Sequence, residues 1–76
     1  MKVNVCFQLA KPSDFEIDVG ETYTTEDVKR EIQAKTGVPP KQQCVVYCGK
    51  KLLDGRTLGD YGITEGSNLI VIRGSS

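Results

Sequence analysis

The sequence predicts an α+β roll, in which one helix lies across a mixed β-sheet and the order is strand, strand, helix, strand, strand. Three observations carry this. Apolar and polar residues alternate with period two over residues 1–9 and 15–19, and over 43–48 Val45 and Tyr47 alternate against Cys44, Val46 and Cys48, which reads as strands. Between them, residues 24–37 switch to a helical period bounded by capping residues. Near the end, Leu69, Ile70, Val71 and Ile72 are all apolar, so a strand there presents apolar side chains to both faces of the sheet.

The elements follow in order. Val3, Val5 and Phe7 alternate with Lys2, Asn4 and Cys6, and Lys11-Pro12-Ser13-Asp14 supplies turn chemistry. Phe15 to Val19 alternates again and stops at Gly20, so the first twenty residues read as a hairpin. Thr24 caps a helix whose first turn holds Glu26 and Asp27, acids that the positive end of the helix dipole favours. Val28 and Ile32 form its apolar stripe, Gly37 ends it, and Pro39-Pro40 forbids continuation. Gln43 to Cys48 is the third strand, Gly49-Lys50 a turn, and Lys51-Leu52-Leu53 a short edge segment. The stretch from Asp54 to Gly62 is punctuated too densely for a long element, so Leu58, Tyr61 and Ile63 are expected to anchor a compact loop to the core. Asn68 to Arg73 is the last strand.

Composition narrows the function. Seventy-six residues, 38% apolar and 26% charged, make one small domain, which buries only roughly 60% of its unfolded surface. Ten basic and ten acidic residues balance, whereas a nucleic-acid binder usually carries a basic excess. No apolar run approaches the ~18 residues of a membrane span, and MKVNVCFQLA lacks the continuous apolar stretch of a signal peptide. A cytosolic or nuclear monomer with no nucleic-acid and no membrane partner is therefore expected. Three cysteines, Cys6, Cys44 and Cys48, cannot all pair within the chain. On one strand Cys44 and Cys48 would lie roughly 13 Å apart, too far for a disulfide. With no histidine and no Cys-x-x-Cys, no metal site and no cofactor are expected. The cysteines also lack an activating base, so no enzyme is read here and no catalytic residue is named.

The segments "GVPPKQQ" at 37–43 and "GKKLLDGRTLGDYGI" at 49–63 resemble ubiquitin and the ubiquitin-like proteins. The likeness runs from Met1 to about Ile72, with a two-residue insertion in the first third, and implies the β-grasp fold for residues 1–73, with 74–76 a tail, a linker start or an artificial end. The family presents an apolar patch on the open sheet face to the helices and zinc modules of receptors. The matching positions here are Val46 and Ile72, with Ile70 where ubiquitin carries a histidine, Cys48 beside them, and Gly49 and Lys50 at the rim. Leu9 is a candidate from the hairpin loop. If Leu69 and Val71 face the helix, alternation sends Ile70 and Ile72 outward, and a contiguous exposed apolar patch usually marks a partner. The plainer readings are a neighbouring domain over this face, or scattered surface side chains. The resemblance thus implies ubiquitin-receptor proteins as partners: a proteasome subunit, a ubiquitin-associated domain or a segregase.

Some positions depart from the family. Cys44 stands where ubiquitin has an arginine that engages activating enzyme and receptors, a contact a thiol does not replace. The sequence Arg73-Gly74-Ser75-Ser76 lacks the family's Gly-Gly, so conjugation is not expected of the chain as written. The alternative is a covalent modifier whose processed C-terminus is not represented. Lys50, Lys29 and Lys35 match lysines at which ubiquitin is extended and are candidate isopeptide acceptors, although for each a solvated charge is the simpler reading. Tyr61 is expected to hold its loop through a hydroxyl hydrogen bond.

Overall fold

The computed structural model describes residues 1–8 and 14–74. The elements are β1 (Lys2–Phe7), β2 (Asp14–Asp18), α1 (Thr25–Thr36), β3 (Gln43–Tyr47), β4 (Lys50–Lys51) and β5 (Asn68–Arg73), with single 3-10 turns at Pro40–Gln42 and Gly59–Tyr61. Among the described residues the strands form one five-stranded sheet in the order β2-β1-β5-β3-β4. β1 pairs antiparallel with β2 and parallel with β5, while β3 is antiparallel to both β5 and β4. With α1 packed across the sheet, this is the β-grasp α+β fold. Among the described residues no helix is long and apolar enough to cross a membrane.

The helix starts and stops where its caps dictate. Asp27 N–H donates to the Thr24 hydroxyl at 3.2 Å and Thr24 N–H donates to the Asp27 carboxylate at 3.0 Å, a reciprocal capping box that satisfies two donors at the helix start. Gly37 closes the other end at φ 81°, a left-handed conformation that side chains resist, and its N–H donates to Gln33 O at 2.7 Å. The face that the caps aim at the sheet carries Thr25, Val28 and Ile32, all fully buried. Val3, Val5, Phe7, Ile17, Val45, Leu69 and Val71 meet them from the sheet, and Leu58 and Ile63 close the far end.

Several boundaries differ from the reading of the sequence, each for a physical reason. Three strands, β3, β4 and β5, follow the helix where the expected order has two, because the short edge segment is a separate strand, β4, of two residues. It occupies Lys50–Lys51 instead of residues 51–53; Leu52, with its N–H donated to Val45 O at 2.9 Å, turns into the core at 1% exposure. β3 stops at Tyr47 and excludes Cys48, whose φ of 50° is left-handed and starts the turn into Gly49. β1 and β2 are shorter or shifted, at Lys2–Phe7 and Asp14–Asp18. After β5, Gly74 N–H donates to Gln42 O at 2.9 Å.

Gln43 was not singled out by the sequence. It sits at 3% exposure, with its side-chain amide donating to Lys29 O at 3.0 Å and Val38 O at 2.9 Å. One polar side chain thereby ties β3 to the helix and to the segment after it. The compact loop forms as expected: Leu58 and Ile63 are buried, and Leu53 N–H donates to the Tyr61 hydroxyl at 2.8 Å.

Candidate protein-interaction face

Among the described residues the sheet is covered by α1 on one face only, so the strand pleat sorts each residue. Leu69 and Val71 point under the helix at 0% exposure, whereas Ile70 and Ile72 between them are 41% and 38% exposed. Two large β-branched side chains held open on rigid strand cost solvation that a partner would recover. Val46 beside Ile70 is half-buried.

Register assembles the rest of the face. Ile70 lies opposite Val46 on β3 and Cys6 on β1; Val46 lies opposite Lys51, and Cys6 opposite Asp14. One row of side chains therefore crosses the whole sheet in the order Asp14, Cys6, Ile70, Val46, Lys51. Neighbouring rows place Ile72 opposite Cys44, and Asn4 between Glu16 and Asn68. The apolar centre is Val46, Ile70 and Ile72, widened by the thiols of Cys6 and Cys44, both half-buried and free.

The remaining sequence candidates divide. Cys48 and Gly49 are exposed in the turn joining β3 to β4, and Lys50 is exposed at the start of β4, opposite Tyr47. Leu9 lies outside the described residues. Of the candidate acceptor lysines, Lys35 and Lys50 are exposed, but Lys29 is buried against the body of the protein with Nζ donating to Asp54 Oδ1 at 2.8 Å.

Sequence reasoning missed Cys6, Lys51 and Asp14 as parts of the face. Their parity was readable, since Cys6 shares a side with Asn4, but their nearness to Ile70 follows only from the parallel β1–β5 register. Two depressions lie on the surface. A trough of about 360 Å³ runs along β1, floored by Asn4, Cys6 and Asn68 and walled by Ile70 on one side and Asp14 and Glu16 on the other. A second, of about 590 Å³, lies on the far side between α1 and residues 51–54, where Leu53 stands 57% exposed. Among the described residues no group of three or more metal-ligating side chains gathers.

Comparison with known proteins agrees with this architecture. The model of the Ubiquitin family matches residues 3–75. The chain is 38% identical over 72 residues to a NEDD8-like protein, RUB3, of Arabidopsis thaliana, covering 95% of this chain and 90% of that protein. It is 32% identical over 59 residues to the ubiquitin-like protein NEDD8 of Dictyostelium discoideum, covering 78% of this chain and 77% of the relative. Ubiquilin of the same organism matches all of this chain at 29% identity over 76 residues, but only 14% of its own length is covered. The fold, the family match and these identities together establish that the chain belongs to the ubiquitin family.

Proposed function

We propose that the chain is a non-catalytic interaction domain that docks ubiquitin-receptor proteins, such as a proteasome subunit or a ubiquitin-associated helical domain, on Val46, Ile70 and Ile72. It would act in the cytosol or nucleus within a larger adaptor, shuttle or ligase-associated protein of the ubiquitin-proteasome system. The observation that carries this reading is the exposure of Ile70 and Ile72 on a sheet face that no element of the described chain covers. A patch of this size supports weak, transient binding. The match to ubiquilin, where the aligned part is 14% of a longer protein, supports the placement within a larger chain.

A second reading, a covalent modifier, is favoured by the NEDD8-like relatives, 90% and 77% of whose lengths align here. Acceptor roles for Lys35 and Lys50 fit either reading.

Two measurements test the proposal. The endogenous protein on a denaturing gel should run as one band well above 8.3 kDa, unchanged by deconjugating enzyme; a ladder that collapses would establish the modifier instead. Receptor binding should be lost in Ile70→Asp and weakened in Val46→Ala, with both variants folded. Unchanged binding by both would sink the docking face.

A further inference from the structure

We propose that the open sheet face takes an amphipathic helix of its partner in one direction only, with a basic flank over Asp14 and Glu16 and an acidic flank over Lys51. This rests on the docking reading above and adds orientation to it. The basis is the sign of the two sheet edges. β2 is one edge, and its outward residues Asp14 and Glu16 are exposed carboxylates; β4 is the other, where Lys51, opposite Val46, is the exposed cation on this face and Lys50, opposite Tyr47, lies on the helix side. The third carboxylate of β2, Asp18, is paired with the Met1 ammonium, whose N donates to Asp18 Oδ1 at 3.2 Å.

The dimensions fit a single helix. From Asp14 to Lys51 the row crosses four inter-strand gaps, roughly 19 Å at about 4.8 Å each. Ile70 stands at its centre, two strands from either edge. A helix is about 10–12 Å across with its side chains, so an apolar stripe seated on Ile70, Val46 and Ile72 leaves each flank within reach of one edge. The trough along β1 gives a basic side chain room to lie over Asn4 and Cys6 with its charge at Asp14 and Glu16. Turning the helix end for end exchanges its flanks and sets like charges against each other at both edges. The edge charges therefore select the direction.

The test uses the isotopically labelled chain and three designed helical peptides sharing one leucine stripe. One has a lysine flank and a glutamate flank, one has lysine on both, and one has glutamate on both. The mixed peptide should bind the sheet face about threefold to tenfold more tightly than either uniform one, the range set by two or three exposed ion pairs. That advantage should fade at high salt. A nitroxide at the peptide's N-terminus should broaden resonances at one end of β5, and exchanging the two flanks should move the broadening to the other end. Reversing the face with Asp14→Lys, Glu16→Lys and Lys51→Glu, all exposed positions, should also reverse the direction. Equal affinity for all three peptides, or broadening at both ends, overturns the orientation and leaves the docking patch standing. Binding of none overturns both. Concentration-dependent shifts of the same face without peptide would assign it to a second copy of the chain and overturn the proposal.

Discussion

The Nζ of Lys29 donates to Oδ1 of Asp54 at 2.8 Å, joining the middle of α1 to the loop after β4. The lysine side chain is 10% exposed and the aspartate 57%, so the pair is half in water and a moderate contributor to stability.

Acylating reagents should therefore discriminate among the lysines. Limited acetylation followed by mass spectrometry should modify Lys35 and Lys50 well before Lys29, and Asp54→Asn should accelerate Lys29 severalfold. Asp54→Ala should cost about 1–2 kcal/mol in urea unfolding, since it leaves a mostly buried ammonium unpaired. Equal labelling of the three lysines in the unmodified protein would contradict the buried placement.

Adjacent residues on β5 should separate stability from binding. Leu69→Ala opens a cavity under the helix and should cost about 2–5 kcal/mol. Ile70→Ala removes side-chain atoms that are already partly in water and should cost under about 1 kcal/mol, while weakening receptor binding. Chemical denaturation of both variants, with a binding titration of the second, checks the contrast.

Gln43→Ala should cost about 1–3 kcal/mol, because Lys29 O and Val38 O both lose the amide that satisfies them. Gln43→Glu should be at least as damaging, since a carboxylate presents acceptors to two carbonyl oxygens. Urea midpoints of the two variants decide this.

Acid sensitivity should trace to two carboxylates. Asp27 is held below the usual carboxylate range by the hydrogen bond from Thr24 N–H and then by that with the Thr24 hydroxyl; Asp60 is held down by the same pair of bonds from Thr57. A depressed folded pKa means that the stabilisation is complete above the unfolded value, about 4, and is lost as pH falls through the folded value. Stability should thus decline from about pH 4 downward, and Asp27→Asn with Asp60→Asn should flatten that slope. An identical slope in the double variant would assign the acid sensitivity elsewhere.

Gly74 should tolerate no side chain at its present approach to β3. A Cβ there would stand 2.9 Å from Gln43 O and 3.0 Å from Gln43 C, both backbone atoms that cannot swing aside. Gly74→Ala should therefore break the Gly74 N–H bond to Gln42 O and speed hydrogen exchange at that amide. Overall stability should change by no more than about 0.5 kcal/mol.

Much of this was legible in the order of residues, because caps and alternation are local physics. Thr24, Asp27 and Gly37 bound the helix through bonds to residues three or four positions away, and period two sorts Leu69 from Ile70 whatever lies beside them. Boundaries failed where a backbone angle or a core position overrode propensity: Cys48 turns left-handed and ends β3, and Leu52 leaves the edge to fill the core. The inward amide of Gln43 and the burial of Lys29 were not legible at all, since polar residues read as surface until their partners are placed.

By itself, then, the sequence determined the helix, the strands, the family and the outward turn of Ile70 and Ile72, all consequences of spacing along one chain. Tertiary structure decided which residues share the face. Cys6 reaches Ile70 across sixty-four positions of sequence only because β1 and β5 pair in parallel, and Asp14 and Lys51 oppose each other only because their strands form the two edges. Such neighbours are set by strand register, which a one-residue slip would exchange for the opposite face.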